Sequence, residues 1–274
     1  MPENWLMTRR RTLLLGLGTL ASLGALAKGR STYLSHQIPG LDDLKRDFTV
    51  VGETSLKHRA AAKGLIYGSE SRYVILSSDT ELAARIVQEC GILVPGWELK
   101  WKPLRPTPKS FDFAAPDWMT NFARTKNLLL RGHTLVWHIS LPSWFKDIVN
   151  RQNAEQFLVK HIEMVVGRYA GQMHSWDVVN EAIATYEGRP DSLQNTPWLE
   201  FLGPDYIDLA FRVAAEADPK ALLVYKDYGL EYDTPDNEAK RIAVLKLLER
   251  LKSRGTPISC PWSPGSSIGR GNPL

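Results

Sequence analysis

Apolar residues recur along this chain in two alternating rhythms. Short unbroken runs have the length and flanks of buried strands. They fall at Leu65-Ile66-Tyr67, Ile92-Leu93-Val94, Leu128-Leu129-Leu130, residues 176–179, residues 222–225 and the segment near Pro257-Ile258. Between them the apolar positions take helical spacing. Ala154, Phe157, Leu158, His161, Ile162, Val165, Val166 and Tyr169 share one face. Ile207, Ala210, Phe211 and Ala214 define a second such face, and Ile242, Leu245, Leu248 and Leu251 a third. Asp218-Pro219 and Gly255 are placed to end helices.

Strand and helix alternating about every 25–45 residues predicts an α/β fold with parallel strands joined by helical crossovers. A doubly wound sheet and a (β/α)8 barrel both satisfy that alternation. No glycine-rich phosphate loop follows the first apolar run, which weakens the nucleotide-binding form of the doubly wound sheet. Polar residues gather just beyond the runs: Glu70, Glu98, His133, Glu181 and Asp227. In a barrel those positions ring the active face, so the pattern favours the barrel.

Composition changes this picture mainly at the N-terminus. Thr8-Arg9-Arg10-Arg11-Thr12-Leu13-Leu14 leads into an apolar run over residues 13–27 that closes with Ala25-Leu26-Ala27. The run has the charge, core and small-residue ending of an export signal and is too short to span a bilayer comfortably. Its paired arginines resemble a twin-arginine signal. Residues 1–27 are therefore expected to be a leader and residues 28–42 a polar linker, with the mature protein secreted or periplasmic. No stable membrane insertion is expected once the leader is gone. The leader holds three Arg and one Glu; taking these from the 34 basic and 30 acidic residues leaves a net charge of +2. No basic stripe remains to attract nucleic acid. The two cysteines, Cys90 and Cys260, are too few and too far apart for a disulfide framework, and Cys90 is expected as a buried free thiol.

Two segments carry chemistry. In His174-Ser175-Trp176-Asp177-Val178-Val179-Asn180-Glu181-Ala182 an apolar strand ends in a carboxylate beside an amide. A general acid needs such a placement, because packing fixes its position and burial helps it keep a proton. The same two residues would also suit a helix start, with Asn180 as cap. In Arg131-Gly132-His133-Thr134-Leu135-Val136-Trp137-His138 two histidines lie on opposite faces of a strand with no third ligand in register, which argues against a metal. His133 instead suits hydrogen bonding to a polar substrate with Trp137 as a wall, while His138 is open to a core role. No motif calls for a cofactor.

Together, Gly132 to His138 and Trp176 to Ala182 resemble the signature of glycoside hydrolase family 10, the retaining endo-1,4-β-xylanases. Glu98-Leu99-Lys100-Trp101, Gly203-Pro204-Asp205-Tyr206-Ile207, Ala217-Asp218-Pro219 and Asp227-Tyr228 extend the likeness over residues 43–258. The resemblance implies a (β/α)8 TIM barrel, incomplete, with about six of its eight β/α units present. It implies that Glu181 is the acid/base, that Asn180 binds the sugar next to the cleaved bond, and that His133 and Lys100 bind the adjoining sugar. Trp137 and Tyr228 would line the cleft. The implied partner is a polysaccharide, xylan or a related β-1,4-glycan.

The chain departs from the family pattern at identifiable places. Gly96 and Trp97 stand where the family has Glu-Asn, a carboxylate and an amide for a distal sugar. Lys226-Asp227-Tyr228-Gly229 replaces Asn-Asp-Tyr-Asn, and Ser140 stands in place of a Gln. Residues 259–274 turn to Pro, Ser and Gly without strand or helix period, where the family continues toward a strand bearing the Glu nucleophile. The nucleophile is accordingly expected to be absent from this chain, with Asp227 the nearest, poor, substitute. A glycan-binding protein without turnover and a fragment that does not fold are the competing expectations.

The leader reading has a direct check. N-terminal sequencing of exported protein is expected to begin at Lys28, and lysines at positions 9 and 10 are expected to block the twin-arginine route. An intact leader on exported protein would contradict the cleavage, and unchanged export of the lysine variant would point to the general pathway.

Overall fold

A computed structural model describes residues 54–259. The expected leader, the linker, Cys260 and the tail beyond it lie outside the described residues. Among the described residues there are five strands: β1 Gly68–Ser71, β2 Ile92–Pro95, β3 Leu129–Val136, β4 Ser175–Asn180 and β5 Leu222–Lys226. Every neighbouring pair is parallel. The principal helices are α1 Thr80–Glu89, α2 Ala114–Thr125, α3 Ala154–Arg168, α4 Tyr206–Ala217 and α5 Pro235–Ser253. The first four lie in the crossovers and α5 follows β5.

The strands stand side by side in chain order, β1-β2-β3-β4-β5. A doubly wound sheet reverses its order at a switch point, whereas a barrel is laid down strand after strand around an axis. The order decides between the two expectations in favour of a partial (β/α)8 barrel.

Local chemistry sets the helix ends. Asp79 caps α1 by accepting the Leu82 amide at 2.8 Å, and Thr234 caps α5 while Pro235 occupies its first turn. After α4, Pro219 cannot continue the helix. The core sits between sheet and helices. Ile162, Val165 and Val166 of α3 and Ile207, Ala210, Phe211 and Ala214 of α4 are fully buried, so both faces read from the sequence are the packed ones. Cys90 is also buried, at 3% exposure, which pushes its thiol pKa up. Among the described residues no helix is long and apolar enough to cross a membrane.

Three expectations are corrected. The first strand lies at Gly68–Ser71, and Leu65, Ile66 and Tyr67 are exposed. Pairing is a backbone property: the ladder with β2 opens at Gly68 opposite Ile92, after the apolar triplet has ended. The sixth strand does not form over Pro257-Ile258 within the described residues. Ser259 nevertheless meets β5, its amide donating to the Leu223 carbonyl at 2.7 Å and its hydroxyl accepting the Leu223 amide at 2.9 Å. On α5, Ile242 and Leu245 are exposed, and the buried stripe is Lys240, Ala243, Val244, Leu247 and Leu251. The helix is rotated from the purely apolar face because Lys240 turns inward to an ion pair with Asp227 at 2.7 Å.

Phe211→Ala is expected to lower stability by about 3–5 kcal/mol, the cost of emptying a packed aromatic site. Leu245→Ala is expected to stay within about 0.5 kcal/mol. Urea unfolding of the two variants checks both, and a large loss at Leu245 would contradict the rotated face of α5.

Candidate active site

The chemistry gathers beyond the C-terminal ends of the strands. β4 carries Asp177 within it and runs out through Asn180 into Glu181. Asp177 is 1% exposed, and burial alone would raise its carboxyl pKa. Hydrogen bonds from His133 and Arg131, with their charges, outweigh that and hold it below the usual carboxylate range. His133 Nδ1 lies 2.9 Å from one Asp177 oxygen, and Arg131 Nε donates to the other at 3.0 Å with a second guanidinium nitrogen beside it. The Thr134 hydroxyl also donates to the Asp177 carbonyl at 2.8 Å. These contacts tie β3 to β4 next to the site and fix the His133 ring.

Glu181 leaves the strand in the left-handed backbone region, with φ of 56°. A side chain there costs roughly 1–2 kcal/mol and persists only where the surroundings over-determine it. Its amide donates to the Lys226 carbonyl at 2.9 Å, and the next amide, Ala182, donates to the Tyr225 hydroxyl at 3.1 Å. The half-buried Glu181 carboxylate accepts the Trp137 indole N–H at 2.9 Å. Asn180 is 3% exposed, and its side-chain oxygen has no partner among the described residues.

Trp137 is in turn faced by Lys100, whose ammonium is 4.9 Å from its ring centroid and 5.9 Å from that of Trp97. Burial lowers the Lys100 pKa; Glu70, Glu181 and Glu98 oppose the shift and Lys226 adds to it. The next residue, Trp101, anchors this segment in the core. Its indole donates to the Leu135 carbonyl at 2.6 Å, and its ring stacks on His161 at 3.9 Å. Among the described residues no group of three or more His, Cys, Asp or Glu is arranged to hold a metal ion.

The barrel arc and its sequence are matched by known proteins. The sequence pattern of Glycosyl hydrolase family 10 covers residues 55–261. This chain belongs to that family. It is 41% identical over 177 residues to endo-1,4-beta-xylanase A of Caldicellulosiruptor sp. (strain Rt8B.4), covering 61% of this chain and 25% of the relative. It is 38% identical over 170 residues to the beta-1,4-xylanase of Dictyoglomus thermophilum, covering 61% and 45%. Among solved structures, a xylanase from Thermotoga petrophila RKU-1 in complex with xylobiose superposes with a TM-score of 0.69 at 32% identity, covering 76% of this chain and 62% of that one. The chain thus spans about a quarter to a half of the length of these curated relatives.

Within the family 10 frame, Lys100, Trp137, Asn180 and Glu181 come together. His133 stands beside them, its ring 6.2 Å from that of Trp137. Tyr228 does not share this contact network: it is 52% exposed and one face of its ring is covered by Lys240 at 3.3 Å. Asp227 is committed to the Lys240 ion pair and to the Tyr225 hydroxyl at 2.5 Å, and burial pushes the Tyr225 pKa far up. Glu98 accepts the backbone amides of Tyr73 and Trp97 and so tethers a loop. Ser140 is buried, its carbonyl accepting the Lys102 amide at 2.9 Å. His138 is no plain core histidine. Gln194 lies 2.9 Å from its Nε2, and burial lowers its pKa against the charges of Glu181 and Glu187. Sequence reading passed over Asp177 and Arg131, although a charged residue inside an otherwise apolar strand is itself a signal that a partner waits on the neighbouring strand.

Asp177→Asn tests the β3–β4 clamp. The folded pKa of Asp177 lies below its unfolded value near 3.9. Its stabilisation is therefore present in full above about pH 4 and is lost as pH falls through the folded pKa. The variant is expected to be less stable by about 2–3 kcal/mol at pH 7, with the gap narrowing below pH ~4. Urea unfolding at pH 7 and pH 3 reads this, and an equal gap at both would contradict the charge pairing.

Proposed function

We propose that the chain carries the acid/base half of a site that cleaves internal β-1,4 bonds of xylan with retention of configuration. The observation that carries this reading is Glu181, held in left-handed backbone at a strand end with Trp137 bonded to its carboxylate. In the reaction Glu181 gives its proton to the glycosidic oxygen as that bond breaks. It then takes a proton from the water that releases the glycosyl intermediate. Asn180, at the strand end beside Glu181, suits the sugar at the cleaved bond, and Lys100 and His133 suit the next sugar. Trp137 walls the cleft, and the exposed face of Tyr228 is available to extend it. A polymeric substrate lies outside the cell, which agrees with an exported protein.

Retention needs a second carboxylate about 5–5.5 Å from the first to attack the anomeric carbon. Asp177 is paired with Arg131 and His133, Asp227 with Lys240, and Glu98 with two amides. These commitments favour a second reading of residues 1–274 taken alone: glycan binding without turnover.

Reducing-sugar release from xylan tests both. The 274-residue chain is expected to release essentially none. An in-frame extension supplying the remaining strands and their Glu is expected to turn over. In that extended enzyme Glu181→Gln is expected to lower xylan hydrolysis by about 10²–10⁴-fold. Aryl glycosides with good leaving groups should lose least in the first step. Hydrolysis by the 274-residue chain that Glu181→Gln abolishes would show that a nucleophile is already present.

A further inference from the structure

Around the cleft, Glu98, Asp177 and Asp227 are committed to partners, but the exposed Glu70 at the end of β1 accepts no hydrogen bond from the described residues. Its carboxylate lies directly against Gly96. A Cβ at position 96 would sit 2.2 Å from Glu70 Oε1 and 2.8 Å from its Cδ, so a side chain there would push the carboxylate out of its present place. The two strand ends are locked together at this point, the Gly96 amide donating to the Ser71 carbonyl at 2.9 Å. The space that a side chain just past β2 would fill is therefore taken by a carboxylate from β1.

A chain of contacts connects that carboxylate to the acid. Glu181 accepts from Trp137, Trp137 is faced by Lys100, and Lys100 has Glu70 as the strongest of the charges opposing its burial, ahead of Glu181. The half-buried Trp97 ring lies beside Lys100 and carries Arg72 at 5.7 Å. Carboxylate, ammonium and indole thus meet one step farther along the cleft than Trp137. A carboxylate accepts two hydroxyl hydrogens at once, as the adjacent hydroxyls of a pyranose present them, and charge-assisted bonds of this kind are about twice as strong as neutral ones. We propose that Glu70 is a specificity-determining residue that accepts the hydroxyls of a sugar distal to the cleaved bond, with Trp97 as its stacking wall and Gly96 as the opening that admits it. The proposal rests on the β-1,4-xylan reading above.

The test is xylotriose binding to the full chain, followed by calorimetry or tryptophan fluorescence. Glu70→Gln, which keeps the side chain's shape, is expected to weaken binding about tenfold. Gly96→Ala is expected to do the same by displacing the carboxylate. In the double variant E70A/G96E the carboxylate returns to the cleft from the residue after β2, and binding is expected to recover to within about threefold of the original. A merely structural Glu70 would not be rescued from the neighbouring strand. Xylotriose binding left unchanged by Glu70→Gln, or no recovery in a double variant that melts normally, would overturn the assignment alone. Failure of the unmodified chain to bind xylotriose would overturn the xylan reading and this proposal with it.

Discussion

A single buried carboxylate holds the site in register. Asp177 faces β3 from the middle of β4 and takes hydrogen bonds from both Arg131 and His133, while its own carbonyl takes one from Thr134. Removing one partner from such a cluster would leave charge in a place that cannot solvate it, so the cluster forms complete or not at all. A slip of one residue between β3 and β4 would turn every side chain to the opposite face. With the register fixed, His133 and Trp137 arrive from β3 as Asn180 and Glu181 arrive from β4.

The second layer of support is aromatic. Trp101 is fully buried, bonded to Leu135 and stacked on His161, and it fixes the segment on which Lys100 stands. Tyr225 plays the equivalent part on the other side, joining the Ala182 amide to Asp227. Glu181, Trp137 and Lys100 are thus each tied within one or two residues to a group in the core. Such preorganisation lets polar groups act on developing charge without first rearranging. The left-handed backbone at Glu181 belongs to the same design: its cost is met by neighbouring hydrogen bonds, and the carboxylate gains a fixed direction.

The carboxylates at the strand ends look alike in the sequence but divide sharply in the fold. Asp177, Asp227 and Glu98 spend their acceptor capacity on buried partners, whereas Glu181 gives one oxygen to Trp137 and Glu70 accepts no hydrogen bond from the described residues. That division separates groups that build the cleft from groups whose oxygens are not all spent on the protein. It also makes Asp227 a poor nucleophile, since Lys240 and Tyr225 already hold its oxygens.

The amino-acid sequence by itself determined the α/β alternation, the packed faces of α3 and α4, the burial of Cys90 and the strand end at Asn180-Glu181. All of these follow from local periodicity and from the end of an apolar run, which neighbouring residues encode. Only the tertiary structure decided where β1 begins, which stripe of α5 turns inward, what Asp177 binds, and that Glu70 lies in the space above Gly96. Each of those depends on a partner at least 13 residues away, from Lys240 with Asp227 to Asp177 with Arg131 46 residues off. Such pairs meet only when strands align and helices rotate to satisfy buried charge, and no window of local sequence contains both members.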